Sequence, residues 1–173
     1  MQGIDGRGHE LGLHTSFNTY RNEVQTEKEA EILRRAMERG GIGQEIAGGR
    51  QHYLRWSAPQ TFRNWDAAGM VYDSTLGYAD RVGFRCGTCW EYGVYDVAAR
   101  RALGLRERPL VAMECSVIDE RYMGLGAGDE ALAVFLGLKD RCRVYGGDFT
   151  LLWHNSRLVD DDERRLYCAV LDG

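Results

Sequence analysis

The chain has 173 residues, with 44% hydrophobic and 28% charged content. That suits a globular protein with room for a sizeable core, and 173 residues are expected to fold as a single domain. A formal net charge of −4 argues against a nucleic-acid partner. No apolar run is long enough for a membrane helix, and MQGIDGRGHE lacks a signal-peptide core, which points to the cytoplasm.

Residues 8–20 open the pattern. Leu11 and Leu13 alternate with Glu10, Gly12 and His14, as in a half-buried strand. A polar run from Thr15 to Thr19 reads as a loop, so His14 stands at a strand end. A helix follows, with Thr26 as N-cap, Glu29 completing a capping box, and Ala30, Leu33, Ala36 and Met37 on its apolar face. Its charged residues form a solvated face. Gly48 and Gly49 mark a turn, and residues 50–56 read as a second strand with Arg50 and His52 on one side. A short helix starts at Pro59 and Thr61, buries Phe62, Trp65, Ala67 and Ala68, and stops at Gly69. Residues 70–72 read as a third strand that delivers Asp73, Ser74 and Thr75.

Residues 76–108 look loop-rich, with a short helix over 96–102 closed by Gly104. The apolar run PLVAMECSV, 109–117, reads as a strand buried on both faces. Residues 129–145 form a helix with Ala131, Leu132, Phe135, Leu136, Leu138 and Cys142 as its buried stripe. FTLLWH, 149–154, is a buried strand ending in His154, and 161–171 is the last helix.

Strands and helices thus alternate, with about five strands, as in parallel βα units of a barrel or doubly wound sheet. An eight-fold barrel usually takes ~250 residues, so the chain is short for a complete one. In parallel sheets the C-terminal strand ends share one face, which groups His14, Asn18, His52, Asp73 and His154 as site candidates. Three of the four histidines stand at such ends. Neutral imidazole is both a metal ligand and an acid–base group near pH 7. Arg50 beside them suits oxyanion or carboxylate work.

The five cysteines, Cys86, Cys89, Cys115, Cys142 and Cys168, do not read as a disulfide framework. Cys86 and Cys89 make a lone CxxC without a second ligand pair, so reduced, mostly buried thiols are expected.

The ordered set of segments resembles the polysaccharide deacetylases, the chitin-deacetylase-like carbohydrate esterases. GHELGLHTSFN is similar to their second motif, with His14 and Thr15 at its start. GGRQHY holds Arg50 where an arginine motif follows, and a subgroup carrying RQHY is the closest fit. YDSTL looks like a YDSS element, and LLWHNS looks like the last motif, with His154 as the catalytic histidine. The resemblance implies an α/β fold, an incomplete, irregular (β/α) barrel with mostly parallel strands. It implies a hydrolase acting on carbon–nitrogen bonds other than peptide bonds. Such an enzyme removes N-acetyl groups from an N-acetylated sugar with a divalent metal, zinc by analogy.

By the same resemblance His14 is a metal ligand, His154 protonates the leaving amine and Arg50 orients the catalytic base. Asp73 joins the catalytic candidates as a strand-end carboxylate. Asn18 occupies the place of the family's second metal histidine, and His52 is the substitute nitrogen. The family's first, Asp-rich motif should precede GHE by tens of residues, and only seven precede it here. The chain therefore looks like the C-terminal two-thirds of a deacetylase domain, with weak metal binding and little turnover expected. An open sheet edge makes self-association plausible. Two alternatives remain open: a catalytically dead carbohydrate-binding or structural relative, and a thiol or zinc protein using Cys86 and Cys89.

Overall fold

The computed structural model describes residues 1–173. The chain divides into two compact units: Met1–Thr75 with Tyr92–Arg108, and Leu76–Glu91 with Pro109–Gly173. The fold is mixed α/β with mostly parallel strands and no closed barrel.

The first unit opens with a four-residue helix α1 (Gln2–Asp5) and strand β1 (Leu13–His14). Helix α2 (Glu23–Arg39) follows, then β2 (Gly48–Arg50), α3 (Gln60–Ala67) and β3 (Tyr72–Asp73). Strands β4 (Tyr92–Asp96) and β5 (Arg101–Glu107) complete it. The sheet order is β1-β2-β3-β5-β4. All its pairings are parallel except the β4–β5 hairpin. Its core holds Leu13, Ala30, Met37, Met70, Val94, Leu103, Leu105 and the fully buried Trp65. Gly49 lets β1 and β2 close up: a Cβ there would overlap the Leu13 backbone. That register sets His14 opposite Arg50.

Several elements differ from the sequence expectation. Helix α2 starts four residues early, because Asn22, not Thr26, is the N-cap, accepting from Gln25 N at 3.0 Å. Thr26 is a buried interior residue whose hydroxyl bonds back to Asn22 O at 2.9 Å. The second strand ends at Arg50, and His52–Leu54 form a 3₁₀ turn with Tyr53 and Leu54 at positive φ. Arg50 and His52 are therefore not neighbours on one strand face. The helix expected over 96–102 is instead a hairpin. Val94, Leu103 and Leu105 point inward in period-2 register, and Asp96 caps the turn by accepting from Ala99 N at 2.9 Å. Arg63 on α3 anchors the same carboxylate, at 2.5 Å through Nε and 3.0 Å through a terminal nitrogen. This pairing holds the Asp96 carboxyl down at about 2.

The second unit contains β6 (Ala112–Met113), α4 (Glu114–Ile118), α5 (Asp129–Val144), β7 (Leu151–Leu152) and α6 (Asp161–Asp172). Strands β6 and β7 pair in parallel. The run 109–117 is buried almost throughout, yet only two of its residues are strand and 114–118 is helix. Periodicity does not separate a short buried helix from a short buried strand. FTLLWH likewise contributes only two strand residues, both half-buried. Phe135, Val117, Ala131, Leu166 and Val170 form the core of this unit.

Candidate functional site

In the first unit, parallel pairing of β1 with β2 sets Leu13 against Gly49 and His14 against Arg50. The Arg50 carbonyl lies 3.0 Å from His14 Nδ1. A carbonyl only accepts, so Nδ1 carries the proton. His14 Nε2 lies 3.0 Å from His52 Nδ1, with the rings edge-on and their centroids 5.1 Å apart. In the neutral ring Nε2 is the acceptor, and His52 Nδ1–H donates to it. The two histidines come from different elements, and the turn after β2 is what brings His52 to His14.

Both rings line a pocket of about 610 Å³, walled by Leu13, Phe17 and the Ile32, Leu33 and Ala36 face of α2. Glu29 also faces it. Its carboxylate accepts from Ser16 N at 2.8 Å and from Gln25 Nε2 at 2.8 Å. Burial pushes the Glu29 carboxyl up, but these donors outweigh it and leave its pKa below the usual range.

Beneath the histidines runs a buried polar chain. Thr15 donates to Gln51 Oε1 at 2.5 Å, Gln51 N donates to Thr75 Oγ1 at 3.0 Å, and Thr75 donates to Asp73 Oδ1 at 2.5 Å. Asp73 and Glu107 are both 0% exposed and share a side-chain hydrogen bond. Arg50 donates to Ser74 O at 2.6 Å and Ser74 Oγ at 2.9 Å. Burial lowers the Arg50 pKa, and Asp73, Tyr72 and Glu107 work against that shift. Asp73, a strand-end candidate, is thus sealed from solvent.

Asn18 is exposed and accepts from Arg55 through Oδ1 at 3.1 Å. Arg55 clamps that loop: it also donates to Phe17 O at 2.8 Å and to Tyr20 Oη at 3.0 Å. Its guanidinium sits 3.9 Å from the Phe17 ring centre and 4.2 Å from that of Tyr20. Arg55→Ala is expected to speed amide exchange at Thr19 by about 10-fold, the cost of ~1.4 kcal/mol of lost clamping. Arg55→Lys should not restore protection, because an ammonium lacks the planar fork. Exchange at wild-type rates in Arg55→Ala would show that the clamp is dispensable.

In the second unit, β6 and β7 pair Ala112 with Leu151 and Met113 with Leu152. The chain enters α4 at Glu114, directly after β6, and His154 follows β7 by two residues, so these side chains leave the same end of the paired strands. Glu114 is 0% exposed. Its Oε1 accepts from His154 N at 3.1 Å and is hydrogen-bonded to His154 Nδ1. Arg157 Nε lies 3.4 Å from the same oxygen. Sequence reasoning missed Glu114, although the signal was present: an acidic residue inside an apolar run needs a partner. Glu107, between Arg106 and Arg108, carries no such local signal.

All five cysteines are free thiols. The Cys142 thiol is pushed up to about 12, first by burial and then by Cys89 beside it. The CxxC residue Cys89 thus has Cys142 as its thiol neighbour.

No family model matches the chain, and no curated protein matches it in sequence. A solved structure described as "Crystal structure of putative polysaccharide deacetylase from Mycobacterium smegmatis" superposes with a TM-score of 0.72 at 18% identity. The alignment covers 99% of this chain and 58% of that one, so the chain spans little more than half the length of that structure. At that identity the likeness is one of fold. No helix is long and apolar enough to cross a membrane.

Proposed function

We propose that the chain is a deacetylase-like amide hydrolase that removes N-acetyl groups from carbohydrate. One observation carries this reading: His14 Nε2, at the end of β1, and His52 Nδ1, in the 3₁₀ turn after β2, lie 3.0 Å apart on the wall of a pocket of small-ligand size. The deacetylase-like fold adds to it. Two imidazole nitrogens at this separation, with one ring anchored through its other nitrogen on a backbone carbonyl, fit a divalent cation such as zinc as two of its ligands once the His52 proton stands on Nε2 rather than Nδ1. Bound there, the cation would supply Lewis-acid polarisation of the acetamide carbonyl.

The protein's own groups have the following parts. The Arg50 carbonyl holds the proton on His14 Nδ1 and keeps Nε2 aimed at His52. The bonds from Arg50 to Ser74 fix that carbonyl, and Asp73, beneath Arg50, is a positioning residue. The Arg55 clamp on Asn18 and Phe17 sets the loop that walls the pocket. His154, its Nδ1 engaged by Glu114, keeps Nε2 for the proton that goes to the leaving amine.

The test is acetate release from N-acetylglucosamine oligomers with Zn²⁺ present. His14→Ala and His154→Gln should each lower it by about 100-fold or more, the usual worth of a positioned acid–base group or metal ligand. Release that is unchanged in both variants would end the reading.

A further inference from the structure

The second unit holds one cluster that the hydrolase reading uses only in part. Glu114, Cys115 and His154 bring a carboxylate oxygen, a sulfur and an imidazole nitrogen within 4.8 Å of one another. The parallel β6–β7 register produces this grouping, because two adjacent residues leaving β6 meet the residue leaving β7. Glu114 Oε2 is buried and has no hydrogen-bond partner. A buried acceptor oxygen without a donor is costly, and a cation offsets that cost directly.

The surrounding charge also favours a cation. Arg157 is shared among three carboxylates: Glu114 at 3.4 Å, Glu163 at 2.8 Å and Asp119. Arg121, 3.7 Å from Asp119, is the other nearby guanidinium, and it is largely exposed. Three carboxylates against one half-buried and one exposed guanidinium leave the cluster electronegative.

We propose that Glu114, Cys115 and His154 form a binding site for a thiophilic divalent cation, Zn²⁺ or Cd²⁺, with none of its ligands shared with the His14–His52 pair. A mixed oxygen, nitrogen and sulfur donor set selects zinc-like ions over Mg²⁺ and Ca²⁺. Three protein ligands leave a fourth position for water. On binding, the Cys115 thiol gives up its proton to solvent and the sulfur–metal bond forms; nothing is oxidised. The imidazole binds through whichever ring nitrogen its tautomer offers. This site stands independently of the deacetylase reading. If that reading holds, an ion here ties up His154 and inhibits proton donation.

A Co²⁺ titration of the full chain, followed by absorption, tests the site. Thiolate-to-cobalt charge transfer in the near ultraviolet is expected in wild type and in His14→Ala. It should vanish in Cys115→Ser. His154→Gln changes an exposed ring and should keep the fold. It should weaken the cobalt complex by more than about 100-fold, beyond the loss of an outer-shell partner. Absence of the band in wild type overturns the proposal, and so does a band that survives Cys115→Ser or His154→Gln at wild-type affinity. A band that persists in His14→Ala while acetate release is lost there would support this site and the hydrolase reading separately.

Discussion

Glu114→Ala is expected to destabilise the chain by about 3 kcal/mol or more, the cost of removing one partner from a buried charge cluster. The Glu114 side chain is fully buried, and its Oε1 takes the backbone N–H of His154, the ring of His154 and the flank of Arg157. Alanine leaves those donors facing a void and leaves Arg157 with Asp119 and Glu163 alone. Urea denaturation should show the loss, and thermal melting should move down by about 6–12 °C. Glu114→Gln keeps the volume and one acceptor oxygen, so it should cost clearly less. The same two variants separate stability from chemistry. Under the hydrolase reading, the amide of Glu114→Gln still accepts from the His154 ring but no longer stabilises it when protonated. Acetate release by that variant should then fall by about 10-fold or more while the fold stays largely intact. A change below about 1 kcal/mol in Glu114→Ala would mean that water replaces the carboxylate without loss.

How legible this was in the sequence depends on range. Helices α5 and α6 were readable, because their apolar stripes repeat over three or four turns. The parallel character of the first sheet was readable from the alternation of elements. Local ambiguity defeated other assignments. Asn22 and Thr26 are both competent caps, and which one wins depends on where the preceding loop ends. Residues 96–102 carry a helical count of apolar positions, yet Asp96 and its Arg63 clamp make them a turn. The clamp is a contact across 33 residues, so no local window contains it. The site candidates behaved likewise. His14 was identifiable as a strand-end histidine. Its pairing with His52 rests on the 3₁₀ turn after Arg50, and the positive φ of Tyr53 and Leu54 has no marker in their residue types. Glu107, between two arginines, carried no local mark, and Glu114 was marked only by standing inside an apolar run. Their partners, Asp73 and His154, are distant in sequence and close only once parallel strands have paired.

The buried Asp73–Glu107 pair should leave a second large signature, in the pH dependence of folding. Burial pushes the Asp73 carboxyl up to about 6, despite the opposing hydrogen bonds from Thr75 and Glu107 and the charge of Arg50. Two fully buried carboxyl groups in hydrogen-bond contact do not both ionise cheaply, so the pair holds one proton until the pH rises through about 6. In the unfolded chain Asp73 titrates near about 3.9. Between about pH 4 and pH 6 the folded state therefore holds a proton that the unfolded state has released. Stability from this group is fully present below that window, falls as pH rises through it, and is gone above about pH 6. The amplitude is roughly 3 kcal/mol. Asp73→Asn keeps the size and the acceptor for Thr75 but does not titrate. Its stability relative to wild type should therefore improve by roughly that amount between about pH 4 and pH 8, as read by urea denaturation at several pH values. Other carboxylates contribute to both curves and cancel in the difference. A difference that stays constant across the range would show that Asp73 is ionised throughout, with Arg50 as its counter-charge. A difference that shrinks with rising pH would reverse the sign and assign Asp73 an ordinary ion-paired carboxylate's role.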